Sequence, residues 1–278
     1  MDSLKIFLRR PAGVIGLIFL IMIIALAVLA PYLFPGDPWD MAGAPFQPPL
    51  SEDLPLGSDM LGRNVAAGIA YGARVSLTIG LASTLAAVLI GVMVGAFAGY
   101  YGGKVDDILM RVTELFQTIP GFILAILLVA TLGPTLRNVI FAIAAVSWPP
   151  LARLTRAEFL RLRNREFVQA AMCQGQGALS VVLRHILPNA ISPIIVTGSL
   201  AIASAILIES ALSFMGLGDP NLMSWGFMVG SARSVIRQAW WMSVFPGVAI
   251  LFTVLAINLV GEGLNDTLNP RISRKRGH

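Results

Sequence analysis

The chain contains long apolar runs that carry no Asp, Glu, Lys or Arg, separated by shorter polar segments. About 20 apolar residues in a helix cross the roughly 30 Å hydrocarbon core of a bilayer, where a helix satisfies its own backbone hydrogen bonds. The pattern predicts an all-α, polytopic membrane protein with about six transmembrane helices. The predicted spans are 14–34, 75–100, 115–133, 134–152, 190–213 and 239–262.

The positive charges predict how these spans are oriented. Fifteen Lys and Arg lie in the segments 1–13, 101–114, 153–189 and 263–278, whereas five lie at or beyond the opposite ends of the spans. Because cytoplasmic segments are enriched in Lys and Arg, both termini are predicted to be cytoplasmic, with 35–74 and 214–238 as outer loops. The first apolar run is too long for a cleaved signal peptide, so we expect a retained anchor helix.

The composition agrees with a membrane protein and excludes several other classes. The chain has 278 residues, of which 56% are hydrophobic and 13% charged, and its formal net charge is +5. Soluble domains carry about 25% charged residues, and disordered chains are polar and highly charged. These values exclude a soluble enzyme, a disordered protein and a nucleic-acid binder. A single cysteine, Cys173, and two histidines, His185 and His278, predict neither a disulfide framework nor a metal site.

The longest predicted inner segment, 153–189, is amphipathic and basic, with Leu and Phe interleaved among five Arg between positions 153 and 165. One interpretation is a helix held on the membrane surface by anionic lipid. The other is a helix that docks in a groove of a partner protein. The small residues of the segment would let that groove approach the helix backbone closely. For the Arg cluster, lipid contact and pairing with a partner both stay open.

Within this segment, three short motifs are spaced in a familiar way. Gln169-Ala170-Ala171 is followed after three residues by Gly175, and nine residues later come His185-Ile186-Leu187-Pro188. This resembles the cytoplasmic coupling loop of ATP-binding-cassette importers, where Glu-Ala-Ala, Gly and Ile-x-Leu-Pro have the same spacing. Gln replaces the usual Glu and His the usual Ile. The resemblance implies that an ATPase docks on Gln169, Ala170, Ala171, Gly175, His185, Leu187 and Pro188.

Five further motifs occur in order along the chain, at 56–64, 71–77, 100–103, 213–218 and 258–264. Together they resemble the second, C-type permease subunit of dipeptide, oligopeptide and nickel importers, and the match covers about residues 10–272. The resemblance implies a permease domain over 75–270 in a bacterial inner membrane. It also implies a heterodimer with a second permease subunit, two cytoplasmic ATPase subunits and an external substrate-binding protein.

The source of energy is predicted to lie outside this chain. Lys5, Lys104 and Lys275 precede Ile, Val and Arg, so none belongs to a phosphate-binding loop that ends in Lys-Ser or Lys-Thr. We therefore expect no cofactor and no catalytic residue here, with ATP and Mg²⁺ bound by the partner ATPases. Short peptides are the expected substrate. Nickel, opines or glutathione-like compounds, and more distantly an ion-coupled secondary transporter, are the alternatives.

Three further predictions concern individual residues. Glu209 either lines the translocation path or is a carboxylate at the outer membrane end, solvated or paired with an arginine. Asp59, Arg63 and Trp225 are candidates for docking the binding protein. The default interpretation is an ordinary solvated carboxylate for Asp59 and, for Trp225 with Trp240, Trp241 and Tyr71, an aromatic belt at the membrane interface. The remaining pattern is a set of glycines at four-residue spacing that predicts a helix-packing seam: Gly91, Gly95 and Gly99.

Overall fold

A computed structural model describes residues 7–8, 10–51 and 54–268. The described residues form helices joined by loops, with no named strand among them, so the all-α prediction is confirmed. The nine helices named here are α1 (Pro11–Leu33), α2 (Val65–Tyr101), α3 (Gly103–Thr118), α4 (Gly121–Leu132), α5 (Leu136–Arg163), α6 (Glu166–Cys173), α7 (Ala178–Phe214), α8 (Trp225–Ala232) and α9 (Trp241–Leu268).

Four of these helices are long and apolar enough to cross a membrane, namely α1, α2, α7 and α9. A fifth candidate is the pair α3 and α4, which pass the same criterion together but are bent by 83° at a short break. The predicted fourth span, 134–152, lies largely within α5, which continues into the basic segment as far as Arg163. The division into six spans stays a prediction.

The break between α3 and α4 corrects the predicted third span, 115–133, which is not one straight helix. Ile119 is extended, with φ −91° and ψ 130°, and Pro120 precedes the first residue of α4. The proline ring disfavours the α conformation in the residue before it, and its nitrogen has no hydrogen to donate. The apolar run therefore divides between two helices.

The segments that are predicted to be outer loops are also more helical than the sequence predicts. Helix α2 begins at Val65, ten residues before the predicted span, and the Asn64 side chain caps it by accepting from Ala66 N at 2.9 Å and Ala67 N at 3.3 Å. Such a cap satisfies backbone donors at the helix start that have no partner within the helix. In the predicted loop 214–238, Ser224 caps α8 in the same way, accepting from Phe227 N at 3.1 Å.

Helices α2 and α5 meet along a seam of glycines, which confirms the predicted role of Gly91, Gly95 and Gly99. A Cβ on any of the three would lie 2.6 Å from a Cβ of α5, which belongs to Leu151, Thr155 and Phe159 respectively. Real side chains do not tolerate this distance, so only glycine lets the two backbones approach so closely.

The two ends of the described chain lie at the same end of the bundle. Arg10, just before α1, forms an ion pair with Asp266 near the end of α9 at 3.2 Å. Between these ends, Phe19 stacks on Phe252 with ring centroids 5.4 Å apart, so α1 and α9 run side by side. The two ends of the described chain are therefore placed together, and the side of the membrane that they face stays a prediction.

At the other end of the bundle, the segment 34–64 packs onto the helices through specific polar contacts. Tyr71 Oη donates to the carbonyls of Phe34 and Gly36, and Trp241 Nε1 donates to the Ser58 carbonyl at 3.0 Å. Trp241 is buried, whereas Trp240 is half exposed. The predicted aromatic belt is therefore wrong for Trp241, whose ring belongs to the core.

Candidate functional site

The predicted coupling segment is a short amphipathic helix, α6, held against the rest of the chain by one face. Val168 and Ala171 are buried in a cluster that includes Phe159, whereas Gln169 and Ala170 are exposed on the opposite face. The structure thus divides the Gln-Ala-Ala motif: its third residue anchors the helix, and its first two are accessible.

Gly175 ends α6 through its backbone conformation. Its φ is +78°, its N–H donates to Met172 O at 3.0 Å, and the next N–H, of Gln176, donates to Ala171 O at 3.2 Å. This pair of bonds is the Schellman motif, in which a left-handed residue closes a helix. A Cβ on Gly175 would meet nothing within 4 Å, so the conformation rather than a lack of space favours glycine.

The second half of the motif lies where α7 begins to cross the bundle. Val182–Ile186 forms a π-helical turn, and His185 Nε2 lies 2.9 Å from Gln176 Oε1, tying this turn to the end of α6. Leu187 is half-buried and Pro188 is exposed. Pro188 follows the π turn inside the continuous helix α7, at a point where an N–H is missing from the helical ladder.

The basic arm of α5, which leads into α6, is fixed by polar contacts of the arginine cluster. Arg156 donates two hydrogen bonds to Asp106 of α3, at 2.5 and 2.6 Å, and this hydrogen bonding raises the pKa of the Arg156 guanidinium. Arg153 donates to Gln117 at 3.0 Å, and Arg161 pairs with Glu158. Three of the five arginines are therefore engaged within the chain, a role that the sequence pattern did not indicate.

Glu209 is completely buried, which corrects one of the two alternatives predicted for it. It is neither solvated nor paired with an arginine among the described residues, and its place in a translocation path stays a prediction. Its carboxylate accepts from three hydroxyls: Ser213 at 2.7 Å, Ser76 at 3.3 Å and Ser210 at 3.4 Å. Ser213 lies one helical turn from Glu209, so their contact could be predicted from the spacing in the sequence. Ser76 belongs to α2, and the sequence gives no signal for its contact with Glu209.

The same cluster also fixes helix α8. Trp225 N donates to Ser76 Oγ at 3.4 Å, and its indole Nε1 donates to the Ile69 carbonyl at 2.9 Å. Only 1% of Trp225 is exposed. This corrects both the predicted belt position and the predicted direct contact with a binding protein, because a buried indole is not available to a partner.

The other two candidates for the dock are held in the outer segment. Asp59 Oδ1 accepts from Leu61 N at 2.8 Å and Arg63 N at 2.9 Å, and the Arg63 guanidinium lies 4.6 Å from the Trp39 ring centroid. Both side chains are about one-fifth exposed. They shape the surface of this segment, and their contact with a partner stays a prediction. Among the described residues, no group of three His, Cys, Asp or Glu could hold a metal ion.

Comparison with known proteins places the chain in a family. Residues 91–274 match the family described as binding-protein-dependent transport system inner membrane component, and residues 1–49 match the N-terminal TM domain of oligopeptide transport permease C. The dipeptide transport system permease protein DppC of Escherichia coli (strain K12) is 40% identical over 275 residues, which cover 96% of this chain and 92% of that protein. The di/tripeptide transport system permease protein DppC of Pseudomonas aeruginosa (strain UCBPP-PA14) is 39% identical over 273 residues, covering 96% and 90%.

Solved structures share the fold. A chain of the MetNI methionine ABC transporter, in an inward-facing conformation, aligns with a TM-score of 0.60 at 17% identity, over 71% of this chain and 94% of that one. The all-helical bundle, the motifs in their order and the near full-length similarity to permease subunits agree with one another. The chain belongs to the family of binding-protein-dependent transport system inner membrane components.

Proposed function

We propose that this chain forms half of the membrane pathway of an ATP-driven importer of short peptides. A homologous permease subunit would supply the other half, two cytoplasmic ATPase subunits the energy, and an external binding protein the substrate. Support comes from the permeases of peptide systems that are about 40% identical over nearly the whole chain. Nickel, opine or glutathione-like substrates would use the same machinery.

The observation that carries the coupling role is the exposed face of α6. Gln169 and Ala170 offer a partner a small, accessible surface, while Val168 and Ala171 fix the helix to the cluster around Phe159. A force applied to α6 would therefore reach α5 and α7 as a rigid-body displacement rather than be absorbed by a loose loop. Reversing a 1:99 equilibrium between two orientations takes roughly 5.5 kcal/mol of differential binding, which ATP binding to the partner subunits would provide.

Ala170→Arg tests this role most directly. Ala171 is buried and Gly175 needs a positive φ, so changes at either would disturb the segment itself. Ala170 is exposed, so an arginine there leaves the fold intact and blocks the approach of a partner. Ala170→Ser is the matched control because it changes the volume little.

The measurement uses cells of the source organism that express the tagged chain. The Ala170→Arg protein is expected in the membrane at the wild-type level, with its co-purified ATPase subunits lost and uptake of radiolabelled leucyl-leucine reduced at least about tenfold, the effect of some 1.4 kcal/mol. The Ala170→Ser chain should behave as wild type. Normal uptake by Ala170→Arg would contradict the coupling role, and a wild-type chain that purifies without any ATPase would contradict the proposed function.

A further inference from the structure

A cleft of about 630 Å³ opens between α1, α2, α7 and α9, apart from both the coupling segment and the Glu209 cluster. Volumes of about 300–1,000 Å³ are typical of small-molecule sites, which are mostly apolar with a few polar groups. Its aliphatic walls include Leu20, Ile24, Leu77, Leu81, Ile202 and Ile257. The polar lining consists of Arg74, Thr78 and Ser199.

Arg74 is the one charged side chain among the described residues that line this cleft, and it lies on the exposed side of α2. It forms no ion pair within the described part of the chain; its guanidinium carbon lies 6.0 Å from the Tyr71 ring centroid. Arg63, in the same outer region, is instead engaged by Asp59 and Trp39. The donors of Arg74 are therefore free to bind an anion, and a guanidinium fits a carboxylate in bidentate geometry.

The position of Arg74 places this charge at the mouth of the cleft. It lies nine residues into α2 and, of the α2 residues that line the cleft, it is the one nearest the helix end that is predicted to be outer. Thr78 lies one helical turn further in, and Leu81 nearly another. On α9, which begins at Trp241, Ile257 lies about 24 Å along the helix at 1.5 Å per residue. A ligand entering from outside would meet the guanidinium first and the aliphatic walls afterwards.

We propose that Arg74 binds the terminal carboxylate of the transported peptide at the mouth of this cleft, whose aliphatic walls receive the peptide side chains. The inference rests on the proposed function and specifies the group that is recognised. A positive charge at the mouth attracts a carboxylate and repels a free divalent cation. Because the side chain is exposed, solvent screens the pair, which keeps the contact weak enough for the peptide to move on.

The test exchanges the charge at position 74 without changing the peptide or its binding protein. Arg74→Cys is made in a Cys173→Ser background, since Cys173 is exposed and would react as well. Cells are treated with aminoethyl methanethiosulfonate, which installs a positive group, or with sulfonatoethyl methanethiosulfonate, which installs a negative one. The half-saturating concentration and maximal rate of leucyl-leucine uptake are then measured. Arg137→Cys, an exposed arginine outside the cleft, is the matched control.

Arg74→Cys is expected to raise the half-saturating concentration about threefold, the loss expected for an ion pair that solvent screens. The positive reagent should restore uptake and the negative reagent should weaken it further, while position 137 responds to neither. Equal uptake with all three side chains at position 74, or a loss that the positive group does not restore, would overturn the inference. If the wild-type chain has no ATP-dependent leucyl-leucine uptake, the proposed function fails first, and the role of Arg74 with it.

Discussion

A carboxylate buried among neutral hydroxyls connects three elements of this protein. Glu209 of α7 accepts from Ser76 of α2, and Ser76 in turn accepts from the N–H of Trp225 at the start of α8. Burying a polar group is costly unless hydrogen bonds compensate for the lost water. Because these bonds reach two other helices, the side chain positions the outer ends of α2 and α8 relative to α7.

Replacing Glu209 by Leu removes the acceptor for these serines and leaves buried hydroxyls unpaired. The expected cost in the free energy of unfolding is about 1–3 kcal/mol, seen as a lower thermal midpoint of the detergent-solubilised chain. Glu209→Gln keeps one acceptor oxygen and should lose less. Ser204→Leu, on the exposed side of the same helix, is the control and should change little. Equal midpoints for the Leu and Gln variants would show that the hydrogen bonds do not matter.

At the scale of helices, the seam between α2 and α5 determines how rigidly the proposed coupling helix α6 is attached to the bundle. Gly91, Gly95 and Gly99 lie against α5 just before its arm reaches α6. The same part of α5 is held against α3 by the hydrogen bonds from Arg156 to Asp106. Close backbone packing and a two-point ion pair together make α5 a stiff connection between the membrane and α6.

Replacing glycine by alanine should lower the stability of the protein inside this seam and raise it outside the seam. At an open helical position, Gly→Ala raises the free energy of unfolding by roughly 0.5–1 kcal/mol, because alanine reduces the conformational entropy of the unfolded chain. Gly95→Ala should instead destabilise, by about 1–3 kcal/mol as for an overpacked core, since its Cβ would collide with Thr155. Gly247→Ala, where a Cβ meets nothing within 4 Å, is the control. The two thermal midpoints should shift in opposite directions, and a stabilised Gly95→Ala would contradict the seam.

At the scale of the whole molecule, the ion pair between Arg10 and Asp266 brings the ends of the described chain together. Two ends on one side of a bilayer require an even number of crossings. With α1, α2, α7 and α9 as spans, the bent pair α3–α4 and helix α5 must therefore both cross or both remain on one side. The six-span prediction corresponds to the first arrangement.

Reporter fusions check the predicted orientation. Green fluorescent protein fused to either end should fluoresce, and alkaline phosphatase fused to the C-terminus should be inactive, because phosphatase folds only outside the cytoplasm. As the control, phosphatase fused after residue 45, beyond the first span, should be active. An active C-terminal phosphatase would reverse the orientation that the Lys and Arg distribution predicts.

Much of this protein follows from its sequence. Long uncharged runs have one stable form in lipid, so helical spans and their approximate positions could be predicted from hydropathy. The glycine seam could also be predicted, because a four-residue period places Gly91, Gly95 and Gly99 on one helix face. The family followed from motifs whose spacing is fixed along the chain.

The roles of Glu209, Trp225 and Arg74 depend on contacts between helices that are distant in sequence. Ser76 and Glu209 are 133 residues apart, and Ile69 and Trp225 are 156 apart. The local sequence pattern indicates which face of a helix is apolar, but it does not indicate which neighbouring helix covers that face. The sequence by itself therefore determined the fold class, the approximate positions of four long apolar helices and the family. The tertiary structure decided which polar groups are buried and paired and which remain free to bind, because burial depends on the arrangement of all the helices together.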